Sequence, residues 1–134
     1  MGSAGRVLVL DDDEGVRSAF ARVLTREGYD VQVAASAEEA LRHVKLTRPD
    51  AILLDLKMPM INGVGFLYRL RQDHANRDIA VAMITGERTL DDATVTDIRA
   101  LNAQVFYKPL SLEDVRRVVR KLLPGSQADT TARG

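Results

Sequence analysis

Acidic residues that directly follow two apolar runs are the first sign of chemistry in this sequence. Asp11 and Asp12 come after the apolar run 6–10, and Asp55 comes after the apolar run 51–54. If both runs are strands of one parallel sheet, their carboxyl ends bring the three carboxylates to the same edge. Carboxylate oxygens, completed by waters and a phosphate oxygen, are the ligands that Mg²⁺ prefers. The sequence therefore predicts an acidic site for a divalent cation.

The acidic run 11–14 also has a purely structural interpretation. Acidic residues at a helix start accept hydrogen bonds from free N–H groups and suit the helix dipole. That accounts for one or two of the four carboxylates. Four in a row after a buried strand repel one another unless a cation neutralises them. Both interpretations remain open for this run alone, and the position of Asp55 favours the cation.

The same predicted edge carries a candidate phosphate acceptor and two candidate anchors for phosphate. No Ser, Cys or His is suitably placed as a nucleophile, so Asp55 is the best candidate for the group that becomes acylated by phosphate. Lys108 follows the run 104–107 and could stabilise phosphoryl oxygens, or it could be an ordinary surface lysine. Thr85 follows the run 80–84 and by itself could be a simple turn residue.

Strand-like and helix-like patterns alternate along the 134 residues, which predicts one doubly wound α/β domain with a parallel sheet. The predicted strands are 6–10, 30–34, 51–54, 80–84 and 104–107. The predicted helices run from 14 to about 27, from 37 to at least 44, from 63 to about 72 and from 89 to about 101, and the last follows the cap at 111–114 and is ended by Pro124.

Cap patterns mark where several of these helices begin and end. The segment 36–39 is a predicted capping box, the segment 111–114 is predicted to cap the last helix, and Thr89 is predicted to cap the fourth helix. Gly28 is expected to end the first helix. The fourth helix has a thin apolar stripe, so we expect it to be the most loosely held.

Composition sets limits on the class of protein. The chain is 46% hydrophobic and 28% charged, has zero formal net charge and contains no cysteine. This predicts a globular domain without a disulfide framework or a basic surface for direct nucleic-acid contact. No membrane span and no signal peptide are evident, so a cytoplasmic setting is predicted. Residues 6–123 form the predicted domain, between a flexible start, 1–5, and a flexible tail or linker remnant, 124–134.

Four motifs together resemble the receiver domain of bacterial two-component response regulators, the fold of the chemotaxis regulators. They occur in the order and spacing of that family and are Val7–Asp12, Leu53–Pro59 with Gly63 downstream, Met83–Gly86, and Tyr107–Pro109. The resemblance covers about residues 5–123. It implies a flavodoxin-like fold, a five-stranded parallel sheet of order 2-1-3-4-5 with five helices.

The resemblance also implies a function centred on Asp55. This residue would accept a phosphoryl group from the phosphohistidine of a sensor histidine kinase or a phosphotransfer protein. The domain would promote its own phosphotransfer and autodephosphorylation, without being an enzyme for a separate substrate. Thr85 would donate a hydrogen bond to one phosphoryl oxygen, and Lys108 would pair with another.

The cofactor implied by the resemblance is Mg²⁺. Asp12 and Asp55 would bind the ion directly, together with the backbone carbonyl of Lys57, and Asp11 would act mainly through water. Such an ion bridges carboxylate and phosphoryl oxygens, so that transfer depends on positioning and charge neutralisation.

The output implied by the resemblance is a change in the face formed by the fourth helix, the fifth strand and the fifth helix. The output partner is unknown, no membrane is implied, and we expect a monomer or a weak, phosphorylation-dependent dimer. Val105 stands where the family often has an aromatic residue. We therefore consider that the fourth helix could instead shift as a body.

Two alternatives come from other classes of protein. A haloacid-dehalogenase-like phosphatase would use Asp11 as its nucleophile and Asp13 as its acid, but it leaves Asp55 unexplained and lacks an acidic pair after Lys108. A receiver-fold binding module that is never phosphorylated is the second alternative. The complete acidic set and the lysine argue against it.

Overall fold

The computed structural model describes residues 4–55, 63–86, 91–108 and 110–124, with Asp55 described through its backbone. Strands and helices alternate through these ranges. The strands are β1 Arg6–Leu10, β2 Asp30–Ala34, β3 Ala51–Asp55, β4 Ala80–Thr85 and β5 Ala103–Tyr107. The helices are α1 Glu14–Arg26, α2 Ala37–Leu46, α3 Gly63–Gln72, α4 Asp92–Ala100 and α5 Leu112–Leu122. A short 3₁₀ turn, His74–Asn76, follows α3 and was not predicted.

All five strands form one parallel sheet of order β2-β1-β3-β4-β5. The predicted fold class, strand order and helix count are therefore confirmed. The register pairs Leu10 with Leu54, and it pairs Asp55 with Ile84. Because neighbouring strands end at matching levels, the residues that follow them meet at one edge of the sheet.

Two apolar layers enclose the sheet. Alternate side chains of β1 belong to different layers: Leu8 and Leu10 lie on one face of the sheet, and Val7 and Val9 lie on the other. Helices α2, α3 and α4 cover the first face, and α1 and α5 cover the second. Burial on both faces explains why the central strands are continuous apolar runs. Among the described helices, none has the length and apolarity to cross a membrane.

The predicted flexible ends, 1–5 and 124–134, lie largely outside the described residues. Where the description starts, Ala4 donates its backbone N–H to the Gly28 carbonyl at 3.0 Å. The carbonyl of Gly5 accepts from the Asp30 N–H at 2.9 Å. The chain is therefore joined to the rest of the domain from Ala4 onward.

Helix α2 begins with half of its predicted capping box. The Ser36 hydroxyl accepts a hydrogen bond from the Glu39 N–H at 3.1 Å, as expected. The Glu39 carboxylate, however, accepts from the N–H of Ala35 at 2.9 Å, one residue before the cap. This bond therefore fixes Ala35, in the segment that leads into α2.

Gly28 follows the end of α1, as predicted. Its φ is +99°, a backbone conformation that only glycine adopts readily.

The predicted start of α4 at Thr89 is wrong. The N-cap is Asp91, whose carboxylate accepts a hydrogen bond from the Thr94 N–H at 2.7 Å, and the helix begins at Asp92. Aspartate caps a helix at least as well as threonine, and the cap pattern at Thr89 competed with a second one two residues later. Ile98 is the one buried side chain among the residues of α4, consistent with the predicted thin apolar stripe.

Residues 111–114 cap α5, as predicted, and they form a complete capping box that makes stability depend on pH. Ser111 accepts from the Asp114 N–H at 3.0 Å, and Asp114 accepts from the Ser111 N–H at 2.9 Å. The Ser111 backbone N–H, and next the Arg117 guanidinium, lower the pKa of Asp114.

A lowered pKa in the folded state means that this carboxylate stabilises the domain above its unfolded pKa of about 3.9. That stabilisation is lost as the pH falls through the lower, folded pKa. We expect Asp114→Asn to unfold at a lower urea concentration than the wild type at pH 7, with the two midpoints converging below about pH 4. Arg117→Met should lower the urea midpoint at pH 7 by less than Asp114→Asn does, because the Ser111 backbone N–H lowers the pKa of Asp114 more than the Arg117 guanidinium does. A midpoint difference that is independent of pH would contradict this assignment.

One arginine on α3 ties together two loops at the opposite edge of the sheet from the acidic residues. The Arg71 guanidinium donates to backbone carbonyls of Asn76 (2.6 Å), Arg77 (3.4 Å), Ile79 (2.8 Å), Leu101 (2.9 Å) and Asn102 (3.1 Å). The first three belong to the α3–β4 connection, and the last two end α4. Asn102 itself has φ 61°, a left-handed conformation that asparagine tolerates. Sequence reasoning missed this arginine.

Candidate functional site

The three aspartates after β1 have three different environments. Asp11 is 4% exposed, and its backbone N–H extends the ladder to β2 by donating to the Ala34 carbonyl at 3.2 Å. Asp13 is the N-cap of α1 and accepts from the Val16 N–H at 3.1 Å. Asp12, between them, is exposed. The capping interpretation thus applies to Asp13, while Asp12 presents its carboxylate to solvent.

The backbone of Asp55 completes β3. Because Leu54 pairs with Leu10, Asp55 and Asp11 are each the next residue on adjacent parallel strands. On its other side Asp55 pairs with Ile84, the residue before Thr85. The side chain of Asp55 lies outside the described part, and so does Lys57, whose carbonyl was predicted to bind metal. The backbone register alone thus defines the position of Asp55 in the sheet.

Thr85 and Lys108 meet at the ends of β4 and β5. Thr85 is completely buried and pairs with Tyr107. Its carbonyl accepts a hydrogen bond from the Lys108 N–H at 2.7 Å, which extends the ladder one residue beyond β5. Lys108 is exposed. The predicted hydroxyl and ammonium groups are thus carried by neighbouring strands at the same edge as the aspartates.

A small cavity lies at this edge of the sheet, between the end of β1 and the end of β5. Its volume is about 20 Å³, and it is lined by Val9, Leu10, Asp11, Val16, Phe20, Leu53, Ile84 and Lys108. The cavity is lined by both Asp11 after β1 and Lys108 after β5, although two strands, β3 and β4, lie between β1 and β5 in the sheet. The structure therefore places Lys108 and Asp11 at the lining of one cavity.

A second arginine, also missed by sequence reasoning, approaches the acidic loop from α1. The Arg17 guanidinium donates to the backbone carbonyl of Asp11 at 2.8 Å. The backbone N–H of Arg17 donates to the Asp13 carbonyl at 3.0 Å. Arg17 lies four residues after Asp13, the N-cap of α1, and this helical spacing returns its side chain to the start of the helix.

The donor set fits a hard divalent cation. Within the described ranges, no three acidic, His or Cys side chains lie close enough together to hold a metal ion. Asp11 and Asp12 supply two carboxylates at the end of β1, and the register places Asp55 next to them at the end of β3. Oxygen ligands of this kind, few in number and open to water at Asp12, suit Mg²⁺.

Comparison with known proteins identifies the family. The family described as "Response regulator receiver domain" matches residues 7–120, and the chain belongs to it. The chain is 35% identical over 130 residues to transcriptional regulatory protein PrrA of Mycobacterium leprae, covering 97% of this chain and 54% of that one. It is 34% identical over 120 residues to sporulation initiation phosphotransferase F of Bacillus subtilis, covering 89% and 94%.

A solved structure agrees with the family assignment. Chemotaxis response regulator CheY4 of Vibrio cholerae superimposes with a TM-score of 0.80 at 26% identity, covering 92% of this chain and 100% of that chain. The chain spans about half the length of the PrrA protein, 54%. The predicted resemblance to response regulator receiver domains is therefore confirmed.

Proposed function

We propose that this receiver domain is a phosphoacceptor of a two-component system and that Asp55 carries the phosphoryl group. The donor is the phosphohistidine of a sensor histidine kinase or a phosphotransfer protein. The observation that carries the proposal is the shared sheet edge, where the register aligns Asp55 with Asp11 on one side and with the strand bearing Thr85 on the other. The cavity shared by Asp11 and Lys108 supports the same assignment.

The chain's own groups account for the transfer. A carboxylate oxygen of Asp55 forms a bond to phosphorus while the bond from phosphorus to the histidine nitrogen breaks, and that nitrogen keeps the electron pair. Lys108 offsets negative charge on one phosphoryl oxygen. The Thr85 hydroxyl donates a hydrogen bond to another phosphoryl oxygen. Because no separate substrate is turned over, the domain promotes its own phosphorylation and dephosphorylation and is not an enzyme in the usual sense.

Mg²⁺ is the proposed cofactor. Asp12, Asp55 and the backbone carbonyl of Lys57 would hold it directly, and Asp11 would act through water. Bound there, the ion would supply positive charge that offsets the negative charge of the carboxylate and phosphoryl oxygens. Asp12 is exposed, whereas one carboxylate oxygen of Asp11 already accepts a hydrogen bond from the Asp13 N–H at 2.9 Å, and this difference supports the division of roles.

We assign the output to the surface of α4, β5 and α5. Thr85 leads from β4 toward α4, so a pull on its hydroxyl acts on that connection. Helix α4 is weakly anchored, with one buried side chain among its residues, and Val105 replaces the usual aromatic of β5. Movement of α4 as a body is therefore the proposed form of the switch. The partner is a protein of unknown identity, in a cytoplasmic setting, and the domain acts as a monomer or a weak phosphorylation-dependent dimer.

The experiment that tests the proposal is labelling with a small phosphoryl donor. Acetyl phosphate with Mg²⁺ should phosphorylate Asp55, detected by trapping the acyl phosphate with borohydride and mapping the modified peptide. Chelation of Mg²⁺ or the Asp55→Asn substitution should abolish the label.

Two results would contradict the proposal. Label at Asp11 would instead favour the phosphatase, although the use of Asp13 as the α1 cap argues against its role as an acid there. No label from acetyl phosphate, with Mg²⁺ supplied, would favour a binding module that is never phosphorylated. Asp114→Asn, in the α5 cap, provides a control for loss of an acidic residue elsewhere.

A further inference from the structure

Arg17 holds the backbone that carries the exposed carboxylate of the site. We infer that Arg17 is a positioning residue for cation binding by Asp12, an inference that rests on the proposed function. Its guanidinium does not need to contact the ion. It contacts the carbonyl of the residue before Asp12.

The two peptide groups on either side of Asp12 are both fixed by hydrogen bonds. The carbonyl of the preceding peptide, from Asp11, accepts from the Arg17 guanidinium at 2.8 Å. The N–H of the following peptide, from Asp13, donates to the Asp11 carboxylate at 2.9 Å. Fixing both planes restricts the backbone torsions of Asp12 and so the direction of its side chain. Since that side chain is exposed, the backbone is what determines where it points.

Arg17 is itself held by the start of α1. Its N–H donates to the Asp13 carbonyl at 3.0 Å, and the Asp13 carboxylate caps the same turn. The guanidinium and the acidic loop are therefore one hydrogen-bonded unit. Residues that orient metal ligands in this way affect metal affinity without contacting the metal.

The charge of Arg17 and its positioning role have opposite effects on cation binding. A positive guanidinium close to the acidic loop repels Mg²⁺, so removal of the charge alone would strengthen binding. Loss of the hydrogen bond to Asp11 releases the peptide before Asp12 and weakens binding. The sign of the change in affinity therefore separates the two roles.

The test is a calorimetric titration of Mg²⁺ into the unphosphorylated protein. We expect Arg17→Met, which keeps the length of the apolar stem, to weaken Mg²⁺ binding about tenfold. Arg22→Met is the matched control, because Arg22 is exposed on the same helix and its loss changes the net charge equally. Its affinity should equal that of the wild type or be slightly stronger.

Tighter Mg²⁺ binding by Arg17→Met would overturn the inference in favour of a charge effect. Unchanged affinity with a lower melting temperature would overturn it in favour of a purely structural role. If Arg17→Met does not fold, Arg17→Lys replaces it. That variant keeps the charge but not the planar donor group, so weaker binding supports positioning and unchanged binding overturns it. Failure of the wild type to bind Mg²⁺ or to be labelled at Asp55 would instead count against the proposed function.

Discussion

Replacement of Lys108 with methionine is expected to slow the phosphorylation of Asp55 by acetyl phosphate about 100- to 1000-fold. The reason is the charge that develops on the phosphoryl oxygens during transfer. An ammonium group already in place stabilises that charge without reorganisation, and methionine of similar length offers none. The measurement is the initial rate of acyl phosphate formation at saturating Mg²⁺.

The structure explains why loss of Lys108 should affect chemistry more than folding. Its side chain is exposed, whereas its backbone N–H, which any residue other than proline supplies, makes the 2.7 Å bond to the Thr85 carbonyl. The ladder between β4 and β5 therefore survives the substitution. We expect the urea midpoint of Lys108→Met to lie close to that of the wild type, and Mg²⁺ binding to be retained.

Lys121→Met provides the matched control, since Lys121 is an exposed lysine near the end of α5. Its rate of labelling should equal the wild-type rate. A Lys108→Met rate within threefold of wild type would show that the lysine is an ordinary surface residue, the alternative that the sequence left open. The assignment of Asp55 as the phosphoacceptor would then depend on the peptide-mapping experiment alone.

The three central strands, β1, β3 and β4, were predictable because each is short, largely apolar on both faces and ends at or next to a polar residue. Burial on both faces removes the alternation typical of a half-exposed sheet, and regular helices between the strands require parallel pairing. The predicted bounds of β2 and α3 agree with the structure, and those of β4 and β5 differ by one residue at one end. The start of α4 was wrong because two cap patterns overlapped and weak apolar spacing could not choose between them.

The residues at the sheet edge were predictable from their place after strands, but the two arginines were not. Asp11, Thr85 and Lys108 lie where the sequence indicated, and Asp55 ends β3. Arg17 and Arg71 instead act on backbone carbonyls. A carbonyl is present at every position, so no pairing of residue types marks such contacts. They follow from the path of the chain, which is known only after folding.

Loss of Arg71 is expected to be the most destabilising change of a charged residue that we predict here, about 3 kcal/mol for Arg71→Met. Hydrogen bonds from a charged donor are stronger than neutral ones, and the carbonyls that lose this donor are left without it in a partly buried place. Burial lowers the pKa of the guanidinium, and the nearby Asp78 carboxylate raises it in part. The group remains charged at neutral pH. Urea unfolding followed by circular dichroism measures the change.

Arg69→Met is the control for Arg71, because Arg69 is an exposed residue of α3 and its loss should change the unfolding free energy by less than about 0.5 kcal/mol. Hydrogen exchange adds a local measurement. The amides of Ile79 and Asn102 lie in the two loops that Arg71 connects, so their exchange should accelerate together in Arg71→Met. Acceleration of Ile79 alone would mean that the contact with the end of α4 contributes nothing. In that case α4 would be anchored at its carboxyl end by the rest of the turn, and its movement in the proposed switch would not depend on Arg71.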